Sequence, residues 1–180
     1  MDEDIEKILF HTATIQARID ELAARITQDY RGKELTVVAV LTGALMFTAD
    51  LLRRIPLPLK LDCLSVASYR GAAETSGEVQ FEQSSLPDID GRHVLIVDDI
   101  LDSGLTLDAI ASRFRAERSP LSISICVLLS KRRPRLREVT AKYVGFEMED
   151  EFVVGYGLDY QERYRNLPFV GVLKTGRGDL

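Results

Sequence analysis

Apolar runs of strand length alternate with helical patterns along most of the chain. The runs are β-branched, short and bounded by turn residues, as expected of strands covered on both faces. They are 35–41 (LTVVAVL), 59–69 (LKLDCLSVASY), 94–97 (VLIV) and 121–130 (LSISICVLLS). Apolar residues at helical spacing predict helices at 12–32, 44–55 and from about 105. This alternation predicts an α/β fold, a parallel sheet flanked by helices.

The two ends of the chain do not follow this rhythm. A first strand, 5–10 (IEKILF), precedes the first helix, and short strand-like pieces follow one another closely after residue 142. We expect these segments to form a small hood over the carboxyl edge of the sheet. The prediction is one domain, 1–180, with a core at about 33–130 and a hood from about 1–12 and 143–180.

Composition narrows the function classes. A net charge of −5 over 180 residues argues against nucleic acid as a partner. The acidic start MDEDIEKILF does not resemble a signal peptide, and no apolar run approaches the roughly 20 residues of a membrane helix. Two cysteines without CxxC spacing suit a reduced compartment. We therefore expect a cytoplasmic protein without membrane contact.

The chemistry concentrates in 94–110, VLIVDDILDSGLTLDAI. Asp98 and Asp99 follow the apolar run, where ligands bind in open α/β sheets. Ser103, Gly104 and Thr106 stand where amides at a helix start can surround a phosphate. Two carboxylates beside such a cradle suit a ligand that is a sugar phosphate, with free hydroxyls and a bound metal. The alternative is that the acidic pair is only a solvated turn, as such pairs often are. The chain has neither GxxxxGK[ST] nor GxGxxG, which argues against P-loop and dinucleotide-binding sites.

The segment 94–107 resembles the phosphoribosyl-pyrophosphate loop of the type I phosphoribosyltransferases. Three further segments narrow the resemblance to the hypoxanthine-guanine phosphoribosyltransferases: 128–135 (LLSKRRPR), 144–173 (VGFEMEDEFVVGYGLDYQERYRNLPFVGVL) and 41–52 (LTGALMFTADLL). The segment 68–80 resembles the family's flexible lid. The similarity runs from about Ile5 to Lys174.

The resemblance implies transfer of ribose 5-phosphate from its 1-pyrophosphate to a purine, through an oxocarbenium-like transition state. Asp98 and Asp99 would bind the ribose hydroxyls near one magnesium. Asp102 would be the catalytic, proton-handling residue; its alternative role is an N-cap of the following helix. The residues expected to bind phosphoribosyl pyrophosphate are Asp98, Asp99, Asp102, Ser103, Gly104, Leu105 and Thr106.

Thr42, Gly43 and Arg165 match the family's pyrophosphate-binding positions. The peptide entering that turn, Leu41–Thr42, is expected to be cis. Thr42 stands where the family often has Lys or Arg, so only backbone contacts carry over there. Asp98 stands where Glu is frequent, and a water can bridge the shorter side chain to ribose. Arg165 could instead be a solvated helix arginine.

On the purine side, Lys131 would donate to the 6-oxo group, although it belongs to a basic run that could be a solvated face. Phe152 would stack on the purine and Val153 would pair with its edge, unless both are core residues. Asp159 would bind a second magnesium or merely close a turn. Ser68 and Tyr69 would begin a lid that excludes water.

These matches predict purine salvage, giving inosine or guanosine monophosphate and pyrophosphate. The expected cofactor is Mg²⁺, with Mn²⁺ as a substitute, bound by Asp98, Asp99 and Asp159. We expect a homodimer or homotetramer with phosphoribosyl pyrophosphate and 6-oxopurines as its substrates. A ligand-sensing regulator of this fold and a transferase for another base remain alternatives, and the preferred 6-oxopurine is open.

Overall fold

The computed structural model describes residues 2–67, 80–82 and 85–174. The helices are α1 (Thr12–Tyr30), α2 (Leu45–Leu52) and α3 (Leu105–Glu117), preceded by a 3₁₀ turn at Asp2–Asp4. The strands are β1 (Ile5–Phe10), β2 (Leu35–Leu41), β3 (Leu59–Ala67), β4 (Gln80–Phe81), β5 (His93–Leu101), β6 (Ser122–Lys131), β7 (Tyr143–Met148), β8 (Val153–Val154) and β9 (Val170–Leu173). The predicted alternation of strands and helices is confirmed.

Six strands form a large sheet in the order β4-β3-β2-β5-β6-β7, parallel except for the short edge strand β4. Successive residues of β5 point into different cores. Val94 and Ile96 pack with α3 on one face, whereas Leu95 and Val97 pack with α1 and α2 on the other. Both faces are therefore covered, which explains why β5 begins as an unbroken apolar run.

The two ends of the chain meet in a second, antiparallel sheet of order β1-β9-β8. Strand β9 is central: Val172 pairs with Lys7 of β1 and with Val153 of β8. This small sheet carries the segment 155–169 between β8 and β9.

The structure corrects two of the predicted boundaries. Strand β5 continues through the acidic pair to Leu101, because it stays paired with β6 beyond Asp98. The segment 143–148 belongs to the large sheet rather than the hood, since β7 pairs parallel with β6. Tyr143 is fully buried there, and its hydroxyl donates to Asp29 of α1 at 2.6 Å. The connection 132–142 contains no helix, so the strand–helix rhythm gave no sign of this pairing.

Two further observations concern the helices and the cysteines. Within the described ranges, no helix combines the length and apolar character needed to cross a membrane. Cys63 and Cys126 are both free thiols, and Cys126 lies in the core, where burial raises its pKa.

Candidate active site

The acidic pair lies in the second half of β5, where Asp99 faces the turn that follows β2. Asp98 is 7 % exposed, and its Oδ1 accepts a hydrogen bond from the backbone N–H of Asp99 at 3.0 Å. Asp99 lies against Gly43: a Cβ placed on that glycine would stand 1.9 Å from Asp99 Oδ2. A buried acid within a strand is not a solvated turn, so that alternative is wrong.

The β2–α2 turn begins with the cis peptide Leu41–Thr42, as the resemblance implied. Thr42 is exposed, and its carbonyl accepts from the N–H of Leu45 at 3.1 Å. Gly43 has a neighbour on its other side as well, because a Cβ on Gly157 would stand 2.0 Å from the Gly43 carbonyl oxygen. The turn is therefore enclosed between Asp99 and the segment that follows β8.

Arg165 holds that segment in shape. The N–H of Gly157 donates to the Arg165 carbonyl at 2.9 Å, and Arg165 Nη1 donates back to the Gly157 carbonyl at 2.9 Å. Arg165 Nη2 lies 3.0 Å from Asp159 Oδ1, and both side chains are largely buried. The predicted alternative of a solvated helix arginine is wrong, since residues 160–166 form turns. Asp159 also closes a turn, because its Oδ2 accepts a hydrogen bond from the N–H of Glu162 at 2.9 Å.

The loop between β5 and α3 is fixed by the chain that follows β6. The Ser103 carbonyl accepts from the N–H groups of Leu136 and Arg137 at 2.9 and 3.1 Å. Gly104, at φ +83°, is the N-cap of α3, and a Cβ there would stand 2.3 Å from the Arg137 carbonyl oxygen. Because Gly104 occupies the cap position, Asp102 is not the N-cap. The first amides of α3, including that of Thr106, point out of the helix toward this loop.

Asp102 belongs instead to a cluster of four charges, the base-side ion cluster, formed with Lys131, Arg133 and Asp150. Lys131 Nζ donates to Asp150 Oδ1 at 2.9 Å and lies 3.4 Å from Asp102 Oδ2. Arg133 Nη1 lies 3.3 Å from Asp102 Oδ1 and 3.1 Å from Asp150 Oδ2. The two residues predicted to serve the purine, Asp102 and Lys131, therefore lie side by side.

The two carboxylates of this cluster differ in their hydrogen bonding. Lys131 is 9 % exposed, and its hydrogen bond to Asp150 is the main influence that holds the pKa of that carboxyl below its usual value. Asp102 Oδ1 is buried and accepts no hydrogen bond from the residues that the structure describes. The guanidinium of Arg133, 3.3 Å away, compensates the charge of this oxygen, which keeps the capacity to accept a hydrogen bond from a ligand.

Sequence reasoning missed Asp150 and underestimated Arg133. Arg133 was only one member of a basic run, and Asp150 only one member of the acidic stretch MEDE. The register of β7 on β6, which pairs Met148 with Lys131, places Asp150 beside the ammonium. Knowledge of that pairing is the one signal that could have identified it.

The side chains of Phe152 and Val153 differ in their exposure. Phe152 is 47 % exposed, and its ring meets that of Tyr160 edge-on at a centroid distance of 5.7 Å. The alternative that Phe152 is a core residue is therefore wrong. The side chain of Val153 is buried in the core. Ser68 and Tyr69, the expected start of a lid, lie outside the described residues.

Oxygen ligands are available for a hard cation, but they do not form a closed cage. In the described ranges, no group of three His, Cys, Asp or Glu side chains is placed to hold a metal ion. Mg²⁺ typically binds through one or two carboxylates together with water and substrate phosphates. Asp98 and Asp99 fit such an open site beside a phosphorylated ligand.

The chain is similar to known phosphoribosyltransferases over most of its length. The family described as phosphoribosyl transferase domain matches residues 7–161. A hypoxanthine-guanine phosphoribosyltransferase of Bacillus subtilis is 45 % identical over 174 residues, which cover 97 % of this chain and 96 % of that relative.

Solved structures show the same similarity. A hypoxanthine phosphoribosyltransferase of Staphylococcus aureus aligns with a TM-score of 0.91 at 44 % identity, covering 97 % of this chain and 94 % of that one. A Trypanosoma cruzi hypoxanthine phosphoribosyl transferase, solved to study how its C-terminal region affects oligomeric state and activity, aligns with a TM-score of 0.87 at 39 % identity. That alignment covers 96 % of this chain and 93 % of the relative.

The close approach of Gly157 to Gly43 predicts that a side chain at position 157 lowers the free energy of unfolding. Gly157→Ala combines a left-handed backbone, φ +105°, with a collision against the Gly43 carbonyl. Gly91→Ala is the matched control, because its φ is +68° and its Cβ would meet nothing within 4 Å. We expect the control to lose about 1–2 kcal/mol of unfolding free energy for the backbone alone. Gly157→Ala should lose about 1–3 kcal/mol more through overpacking. Equal losses in denaturant unfolding would contradict the described contact.

Proposed function

This chain belongs to the hypoxanthine-guanine phosphoribosyltransferases, and on that premise we propose how its residues perform the family's reaction. The activity is transfer of the 5-phosphoribosyl group from phosphoribosyl pyrophosphate to hypoxanthine or guanine, giving the nucleoside monophosphate and pyrophosphate. The named relatives are enzymes, which favours a transferase over a regulator of the same fold. The observation that carries the proposal is the adjacency of Asp102, in the loop before α3, and Lys131, at the end of β6.

Asp98 and Asp99 bind the ribose in this proposal. Ionised carboxylates accept hydrogen bonds only, so two of them suit two neighbouring hydroxyls. The 5-phosphate lies in the loop of Ser103, Gly104, Leu105 and Thr106, whose outward amides at the start of α3 favour an anion. The contacts of Ser103 and Gly104 with the chain after β6 hold this cradle in shape.

The purine lies between Phe152 and the base-side ion cluster. Lys131 donates to the 6-oxo group, and the exposed ring of Phe152 stacks on the base. Val153 meets the base edge through its backbone, since its side chain is in the core. Asp102 accepts a proton from the purine or stabilises the positive charge that develops on it. Its buried Oδ1, which accepts no hydrogen bond from described residues, supports the acceptor role.

Pyrophosphate leaves beside Thr42, Gly43 and Arg165. Thr42 contributes no charge, so Arg165 supplies the positive charge on this side, and its forked guanidinium suits a phosphate. The guanidinium of Arg165 is paired with Asp159 and also with Glu162. Pyrophosphate would therefore have to bind the guanidinium together with Asp159 or take the place of that carboxylate.

The carboxylates of Asp98, Asp99 and Asp159 would hold Mg²⁺, or Mn²⁺ in its place, together with substrate oxygens. Such a cation neutralises charge on the departing pyrophosphate. The all-oxygen donor set and its open arrangement suit this use. We place one cation near the acidic pair and a second beside Asp159.

We further propose a homodimer or homotetramer in the cytoplasm. Leu45 and Met46 on α2 and Leu61 on β3 are exposed apolar side chains that a second copy could cover. The lid that would begin at Ser68 and Tyr69 stays a prediction, as does the assignment of residues 1–180 to a single domain.

Base choice tests the proposed function. Lys131 offers only donors, so a 6-oxo acceptor satisfies it and the amino group of adenine leaves it unpaired. We expect hypoxanthine and guanine to react, and adenine to be rejected by about 10⁴-fold in kcat/KM. Lys131→Ala should lose efficiency with the 6-oxopurines, while Arg132→Ala, the exposed next residue of the run, should not. Adenine within tenfold of hypoxanthine would refute this pocket.

Asp102 has a sharper test. Asp102→Asn keeps the shape of the side chain but cannot accept a proton, so turnover should fall by roughly 10²-fold or more. Binding of phosphoribosyl pyrophosphate, followed by calorimetry, should survive. Asp108→Asn is the matched control six residues along the chain, where the carboxylate lies on α3 near Arg137. If turnover is near normal in Asp102→Asn, the residue does not handle the proton.

The proposed cation sites predict that activity depends on a divalent metal. Activity should disappear after exhaustive chelation and return with Mg²⁺ or Mn²⁺, because the proposed ligands are all oxygen. The assay follows pyrophosphate release in metal-free buffer with a titrated addition of each cation. Full activity in the chelated enzyme would show that no divalent cation is needed.

A further inference from the structure

Resting on the proposed function, we propose that Asp150 is a positioning residue for base recognition. It holds the ammonium of Lys131 so that a donor remains directed at the 6-oxo group, and it keeps that ammonium from closing on Asp102. The specificity of the pocket for 6-oxopurines then depends on a carboxylate that itself touches no substrate.

Two carboxylates, those of Asp150 and Asp102, compete for the ammonium of Lys131. Lys131 Nζ makes a hydrogen bond of 2.9 Å to Asp150, whereas its 3.4 Å approach to Asp102 is an ion pair without a hydrogen bond. The side chain of Lys131 is 10 % exposed, so water does little to solvate its charge. An ammonium has three donors. With one engaged by Asp150, others remain for the purine.

Asp150 is itself fixed from two sides. Its Oδ1 accepts from Lys131, and its Oδ2 lies 3.1 Å from Arg133 Nη1. The chain around it is ordered by backbone hydrogen bonds from Arg132 to Met148 at 2.8 Å and from Glu151 to Glu149 at 2.8 Å. A carboxylate held at both oxygens can direct the ammonium, while a freely rotating one could not.

Loss of the Asp150 charge would change the partner of Lys131. A largely buried ammonium does not stay unpaired beside a carboxylate, because their attraction grows as water is excluded. Lys131 would therefore move onto Asp102. That movement takes the donor away from the 6-oxo group and occupies the acceptor proposed to receive the purine proton.

Binding of two nucleotides to the whole chain tests the inference. Inosine 5′-monophosphate carries the 6-oxo group, and purine riboside 5′-monophosphate lacks it. In calorimetry, Asp150→Asn should weaken the binding of inosine monophosphate by about tenfold, which is the scale of a lost hydrogen bond to a charged group. The affinity for purine riboside monophosphate should stay within about twofold of its original value. Asp150→Glu, which retains the carboxylate, should recover most of the loss. Glu149→Gln removes the adjacent charge, which pairs with Arg132 at 3.5 Å, and should change neither affinity.

Three other results would overturn the inference in distinguishable ways. If Lys131→Ala abolishes the preference for inosine monophosphate but Asp150→Asn preserves it, Asp150 does not position the lysine and the proposed function stands. Equal weakening of both nucleotides by Asp150→Asn would likewise reduce Asp150 to a general structural role. If the unmodified chain binds the two nucleotides equally, the purine pocket itself is wrong, and the inference is wrong with it.

Discussion

Steric contact at Gly43 is the constraint on which the site depends. Asp99 of the large sheet leaves no room for a side chain on Gly43, and the Gly43 carbonyl in turn leaves no room for one on Gly157, in the segment after β8. This double contact joins elements from distant parts of the chain: the β2–α2 turn, the acidic end of β5 and the turns that carry Asp159 and Arg165. A close-packed contact of this kind leaves little freedom for relative movement. The packing of the chain itself therefore brings together the groups proposed to bind ribose, magnesium and pyrophosphate.

A second organising interaction lies at the other end of the site. The base-side ion cluster balances two cations with two carboxylates around the largely buried Lys131. Partial burial makes each missing partner costly, so the four side chains act as one unit. In the proposed reaction this unit recognises the base and handles its proton, while the Gly43 contacts organise the leaving group. The ribose lies between them, above the end of β5.

The sequence allowed the central part of the fold to be predicted because its signals are local. An apolar run, two acids, a turn at Ser103 and Gly104 and a helical period are read within the segment 94–114, and the structure reproduces that order. Predictions failed where pairing between distant segments decides the outcome. β7 joins the large sheet without a crossover helix, so the strand–helix rhythm could not reveal it. β5 extends past its apolar residues because β6 continues beside it, which periodicity does not record. Asp150 was missed for the same reason, since its contact with Lys131 follows from that unexpected pairing.

A crystal structure of the chain with inosine monophosphate, pyrophosphate and Mg²⁺ tests the account most directly. It should place the 6-oxo oxygen within about 3.2 Å of Lys131 Nζ, a normal hydrogen-bond distance. Asp102 should lie beside the purine, the 5′-phosphate at the amides that begin α3, and pyrophosphate between Gly43 and Arg165. A nucleotide bound with its base away from Lys131, or with its phosphate outside the loop of Ser103 to Thr106, would contradict the account.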